Sequence, residues 1–108
     1  MIVKICCIAS VAEARLAVAH GAAVLGLVSA MPSGPGVISD EAVSEIAAAT
    51  PPPTETFLLT SSTTAEAISS QHRAAGTTAL QLVDAVAPAE LLALRRLCPG
   101  VKLVQVIH

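Results

Sequence analysis

Short runs of apolar residues alternate along the chain with longer segments in which apolar residues recur at helical spacing. The runs are nearly continuous in Val, Ile and Leu, a pattern typical of parallel strands that are covered on both faces. Five runs predict strands at Ile2–Ile8, Ala23–Ser29, Thr56–Thr60, Ala79–Val83 and Val101–Ile107. The segments between them predict helices, so the sequence predicts an α/β fold in which strand and helix alternate.

Helix start and stop signals flank the predicted helices. Ser10 with Glu13, and Thr63 with Glu66, have the spacing of capping boxes, in which a hydroxyl and a carboxylate accept hydrogen bonds from free backbone amides. Glycine C-caps are predicted at Gly21, Gly76 and Gly100. These signals place each helix between two of the predicted strands.

We interpret residues 1–108 as a single (βα)4β unit. Crossovers between parallel strands are right-handed, and eight such units would need about 200 residues, the lower end of the range for a TIM (β/α)8 barrel. The chain has 108 residues. The prediction is therefore the N-terminal half of a (β/α)8 barrel, or alternatively an open five-stranded flavodoxin-like sheet with helices on both faces.

Composition narrows the classes of function. Apolar residues make up 54% of the chain, Phe57 is the one aromatic residue, and the six Lys and Arg residues are scattered. Without stacking aromatics or a basic patch, we expect no nucleic-acid partner. The uncharged stretch 16–39 is broken by Gly and Pro, and Lys4 interrupts the first apolar run, so we expect neither a membrane span nor a signal peptide.

Three cysteines and no CxxC motif argue against a disulfide framework and against a zinc site. Reduced thiols predict a cytoplasmic protein. Cys6 ends the first predicted strand, where side chains of βα-repeat enzymes face the active site, and a thiolate there can act as nucleophile or base. The alternative is a small buried apolar residue. Cys7 is expected on the opposite face, packed under a helix.

Polar residues stand at two other strand ends. Asp84 and His108 follow the fourth and fifth predicted strands, on the side where βα loops form sites. Asp84 is expected to be solvated or to help cap the last helix, and Gln81 to face either the core or a substrate. His20 and His72 lie late in helices, where they complement the helix dipole, so both are interpreted as structural.

Along nearly its whole length, and most clearly at Lys4-Ile5-Cys6, Gly21–Val28 and Leu80-Gln81-Leu82, the chain resembles the phosphoribosylanthranilate isomerases of tryptophan biosynthesis. The resemblance covers the N-terminal half of that family's barrel. It implies an Amadori rearrangement of N-(5-phosphoribosyl)anthranilate, with Cys6 as the general base and no metal or organic cofactor. It also implies a small phosphorylated sugar as substrate, and the residues we expect to contact it are Gln81, Asp84 and His108.

The sequence departs from the family pattern at defined positions. Cys7 stands where the family has glycine, and the fourth strand ends Gln81-Leu82-Val83-Asp84, where the family usually has histidine after Gln-Leu. The loop Met31–Gly36 lacks the arginine that meets the substrate carboxylate. The family's catalytic aspartate and phosphate loops belong to the second half of the barrel. We therefore expect the chain alone to be inactive, and to associate with itself or with a C-terminal half through its open strand edges. The alternatives to the isomerase function are a non-catalytic half-barrel that serves in assembly and a small module that binds a phosphate ligand.

Overall fold

A computed structural model describes residues 1–32 and 34–107, which form five parallel strands and four helices. The elements are β1 (Lys4–Ile5), α1 (Val11–Ala19), β2 (Val24–Val28), α2 (Asp40–Ala49), β3 (Glu55–Thr60), α3 (Ala65–Ala75), β4 (Ala79–Leu82), α4 (Pro88–Leu97) and β5 (Lys102–Gln105). The predicted alternation of strand and helix is confirmed. Among the described residues, no helix is long and apolar enough to cross a bilayer.

The strands lie side by side in chain order, from β1 to β5, and every neighbouring pair is parallel. A flavodoxin-like sheet instead has the order 2-1-3-4-5, because its crossovers change direction to cover both faces. Sequential order with right-handed crossovers leaves all helices on one face. Each helix accordingly packs against the next along the chain. The fold is a half-barrel, and the alternative of an open, doubly covered sheet is wrong.

The core lies between the convex face of the sheet and the helices. Register aligns Leu58 of β3 with Leu80 of β4 and Leu103 of β5, so these side chains point toward the same layer of helices. The fully buried apolar residues of this core are Leu25, Leu27, Val43, Ile46, Leu58, Ile68, Leu80, Leu82 and Leu94. This burial holds the helices on the convex side, and the residues that alternate with these leucines face the concave side.

The first strand is shorter than predicted. Regular pairing of β1 with β2 covers Lys4 and Ile5, although an apolar run extends to Ile8. Cys7 has a φ of 61°, a left-handed conformation that strands do not accommodate. Pairing resumes at Ile8, whose N–H donates to the Gly26 carbonyl at 3.3 Å.

The start of α3 differs from the predicted capping box by one residue. Thr64, not Thr63, is the N-cap, and its hydroxyl accepts a hydrogen bond from the Ala67 N–H at 3.3 Å. The Ala65 N–H donates to a Glu90 carboxylate oxygen of α4 at 2.7 Å. A tertiary contact thus satisfies one of the free backbone amides in the first turn of α3.

Candidate active site at the carboxyl ends of the strands

The concave face of the sheet carries the residues that alternate with the buried leucines. Leu58 and Leu80 face the helices, so Phe57 and Gln81 point to the concave side. Gly26 is paired with Phe57, and Lys4 alternates with Ile5, which is paired with the helix-facing Leu25. Lys4 and Gln81 therefore share this face with Gly26 and with apolar residues, among them Phe57 and Leu59.

The Cys6 thiol lies on this concave face, directly over Gly26. A Cβ placed on Gly26 would be 2.8 Å from Cys6 Sγ and 3.1 Å from Cys6 Cα, closer than a side chain tolerates. Cys6 is solvent-exposed and makes no disulfide. Its position, immediately after β1 and on the concave side, is the one expected for a reacting group in a βα-repeat enzyme.

The loop that follows Cys6 is fixed by α1. Ser10 is the N-cap of α1, and its hydroxyl accepts a hydrogen bond from the Glu13 N–H at 3.1 Å. The Glu13 carboxylate accepts from the Ala9 N–H at 2.9 Å, one residue before the amide expected in a capping box. These bonds hold the β1–α1 connection close to the thiol.

The expectation that Cys7 packs under a helix is wrong. Its left-handed backbone turns the side chain toward the β2–α2 loop, where Sγ lies 3.8 Å from the Pro35 carbonyl oxygen. Gly36 is in direct contact with it, since a Cβ on Gly36 would be 2.6 Å from Cys7 Sγ. A residue with positive φ leaves the alternation of a strand, so Cys7 does not take the face opposite Cys6. This conformation favours glycine.

Replacing Cys7 with glycine is expected to stabilise the chain by roughly 1 kcal/mol, because a left-handed backbone costs an L-residue about 1–2 kcal/mol and glycine returns part of this through greater freedom when unfolded. Urea denaturation followed by circular dichroism measures the change. Cys7→Ala is the matched control, since it removes the thiol and keeps the strained conformation. Equal stability of the glycine and alanine variants would contradict strain at this position.

Gln81 points into the concave face, where its side-chain oxygen accepts a hydrogen bond from the Lys4 ammonium. The Lys4 Nζ also lies 4.9 Å from the centre of the Phe57 ring, within cation–π range. Three strand spacings separate β1 from β4 along the sheet, about 14 Å at ordinary spacing. Because two side chains bridge that span, the sheet must curve as a barrel wall does.

Asp84 and the β4–α4 connection are arranged by Gln105. The Gln105 amide nitrogen contacts the carbonyls of Leu82 and Asp84 at 3.1 and 2.9 Å, and its oxygen accepts from the Val86 N–H at 3.4 Å. The Asp84 carboxylate is exposed, and α4 has no side-chain N-cap bond. Asp84 is therefore solvated, which is one of the two expectations, and it does not cap α4. His108 lies outside the described residues.

Sequence reasoning missed Lys4, Gly26 and Gln105 as parts of this site. Signals for the first two exist, because a lysine inside an apolar strand needs a polar partner and a glycine inside a strand marks a close approach. No local signal identifies Gln105, whose partners lie about 20 residues earlier in the chain. In the described part of the chain, no three His, Cys, Asp or Glu side chains are grouped to hold a metal ion.

Sequential parallel strands, helices on the convex face and a thiol at the carboxyl end of β1 define one half of a (β/α)8 barrel. Solved structures that match this arrangement include phosphoribosylanthranilate isomerases. The resemblance that rests on Lys4-Ile5-Cys6 and the two later segments is confirmed, and the chain is phosphoribosylanthranilate-isomerase-like.

The isomerase from Thermus thermophilus has a TM-score of 0.85 and 29% sequence identity, over 99% of this chain and 52% of that one. The enzyme from Pyrococcus furiosus has a TM-score of 0.86 and 23% identity, over 99% and 51%. A third isomerase, in complex with reduced 1-(o-carboxyphenylamino)-1-deoxyribulose 5-phosphate, has a TM-score of 0.81 and 24% identity, over 97% and 53%. The chain thus spans about half the length of the structures it matches. No family model and no curated protein matches it.

Proposed function

We propose that this chain forms the N-terminal half of an isomerase barrel that rearranges N-(5-phosphoribosyl)anthranilate in tryptophan biosynthesis. The observation that carries the proposal is the Cys6 thiol, exposed over Gly26 at the carboxyl end of β1. The similarity to the Thermus thermophilus isomerase over 99% of the chain supports it.

Cys6 would serve as the general base of the rearrangement. An acid of the C-terminal half donates a proton to the ring oxygen of the sugar, the bond between that oxygen and C1 breaks, and a Schiff base forms. The Cys6 thiolate then takes the C2 proton, and the electron pair of that C–H bond moves toward the nitrogen to give an enolamine. Loss of the hydroxyl proton at C2 and protonation at C1 produce the aminoketose. A positioned base of this kind contributes about 10²–10⁴-fold to a rate.

The substrate would be a small phosphorylated sugar, in keeping with the phosphorylated analogue bound by one of the similar isomerases. Gln81 lies on the concave face and could donate its amide N–H groups, since Lys4 occupies its oxygen. Asp84 stands at the rim of the same end with a free carboxylate among the described residues. We propose both as substrate contacts, with His108 beyond the end of β5.

The proposed partner is the C-terminal half of the barrel, because apolar grooves open at both edges of the sheet. One groove lies between β1 and α1 and includes Ile5, Ile8 and Leu16, and the other lies between α4 and β5 and includes Leu92 and Leu103. Leu16 and Leu92 are 61% and 65% exposed, so each groove presents apolar helix surface beside an open strand edge. A second half-barrel would pair with both strand edges and cover both grooves.

The test supplies the missing half in trans. The chain is mixed with the C-terminal half-barrel of the Thermus thermophilus isomerase, and loss of phosphoribosylanthranilate fluorescence is followed. The chain has no Trp and no Tyr, so its own fluorescence does not interfere.

We expect turnover that scales with the complex and is absent from either half alone. A complex that forms and gives no turnover would contradict the isomerase and favour the non-catalytic half-barrel.

A further inference from the structure

The concave face holds an ammonium group whose partners are all neutral. Lys4 donates to the Gln81 side-chain oxygen and lies over the Phe57 ring, and it has no carboxylate partner in the part of the chain that the structure describes. In a completed barrel this interior is packed and poor in water. A cation enclosed with neutral partners is costly unless an anion joins it.

The other charges on the concave strands are already paired. Lys102 of β5 and Glu55 of β3 form an ion pair with 2.7 Å between Nζ and a carboxylate oxygen. Register places Glu55 two residues before Phe57 and Lys102 beside Ala79, at the amino end of the sheet. Glu55 therefore neutralises Lys102 and leaves Lys4 as the cation without a counter-ion on these strands.

The Lys4 ammonium extends toward the end of the sheet that carries Cys6. Gln81, its hydrogen-bond partner, is the last residue of β4 that faces the concave side, and it lies two residues beyond Ala79, which shares its register level with Gly26 under the Cys6 thiol. The β2–α2 loop Met31–Gly36 above this end contains no cation. Lys4 is therefore the cation available to an oxyanion that binds beside Gln81.

We propose that Lys4 is the oxyanion-binding residue of this site, receiving a carboxylate or phosphate group of the substrate while Gln81 orients its ammonium. The inference rests on the proposed function for the identity of the substrate. The inference that the ligand carries a carboxylate or phosphate group rests on the charges of the concave face. Charge-assisted hydrogen bonds to carboxylate and phosphate are the strong interactions of a lysine.

Anthranilate and inorganic phosphate, titrated separately into the chain at constant ionic strength, distinguish the two sources of the oxyanion. Anthranilate binding is read from the fluorescence of the ligand, and phosphate binding from NMR of the lysine side chains. Lys4→Met is expected to raise the Kd at least about tenfold, the effect of one charge-assisted hydrogen bond. Lys102→Met is the matched control, because it removes the same charge from the same face where a carboxylate already pairs it. Its Kd should change less than about twofold.

A measurement on the unmodified chain guards against a misfolded variant. The side-chain resonances of Lys4 should shift on addition of the oxyanion while those of Lys102 stay in place. Binding of either probe with this pattern supports the proposal. No binding of either probe, or equal weakening by the two substitutions, would overturn it. Turnover in the completed barrel without Lys4-dependent binding refutes the role of Lys4 alone, and Lys4-dependent binding without turnover refutes the isomerase alone.

Discussion

Cys6→Ser is expected to slow turnover of the completed barrel by about 10²–10⁴-fold, the contribution of a positioned general base. Serine preserves the size of the side chain over Gly26, so the fold and the approach of substrate are retained. A serine hydroxyl ionises far less readily than a cysteine thiol, so serine is a much poorer general base at this position. The initial rate of fluorescence loss, at saturating C-terminal half, measures the effect.

Cys98→Ala is the control for this substitution. Cys98 is the C-cap of α4, buried in the core on the convex side and remote from the concave face. Cys98→Ala should lower the free energy of unfolding modestly. It should change the rate per folded complex by less than about twofold, since the residues of the concave face are unchanged. A Cys6→Ser rate within about fivefold of the parent would exclude the thiol as the base, because that loss is below the range for general bases.

Leu80→Ala is expected to lower the free energy of unfolding by about 2–5 kcal/mol. Leu80 is 0% exposed and is paired in register with Leu58 and Leu103, so truncation leaves a cavity at the centre of the sheet. The free energy of unfolding of a domain of this kind is only about 5–15 kcal/mol, so the substitution removes a large share of it. Urea denaturation followed by far-ultraviolet circular dichroism gives the difference.

Leu92→Ala provides the matched comparison. The same atoms are removed from a side chain that is 65% exposed, so the expected change is within about 0.5 kcal/mol. Destabilisation of similar size by the two substitutions would show that the core does not lie between β4 and the helices.

The order and type of the elements could be predicted from the sequence, because each element carries its own pattern. Continuous apolar runs indicate strands buried on both faces, and apolar residues at helical spacing indicate helices buried on one face. Curvature of the sheet could not be predicted in this way. The same runs suit a barrel and an open sheet, and the strand order decides between them. The family resemblance of Lys4-Ile5-Cys6 supplied what periodicity lacked.

The part of the candidate site that could be predicted is the part fixed by a residue's position along an extended strand. Cys6 is on the concave face, as expected for the end of a strand, whereas Cys7 is not on the opposite face. Alternation holds only while the backbone is extended, and the left-handed residue at Cys7 breaks it. The glycine of the family at this position was the available sign of that conformation.

The contacts that sequence reasoning missed join residues far apart in the chain. Lys4 reaches Gln81, and Glu90 of α4 bonds the Ala65 N–H at the start of α3. Such pairs depend on register and crossover geometry, which no local pattern contains. They matter here because the proposed oxyanion site consists of Lys4 and Gln81.

We propose that this chain is one half of a barrel that closes at both edges. Amide hydrogen exchange of β1 and β5, with and without the Thermus thermophilus C-terminal half-barrel, tests it most directly, with β3 as the internal reference. We expect exchange at both edge strands to slow by at least about tenfold on addition of the second half, as new interstrand hydrogen bonds form. Unchanged exchange at both edges, or protection of only one of them, would contradict a closed barrel.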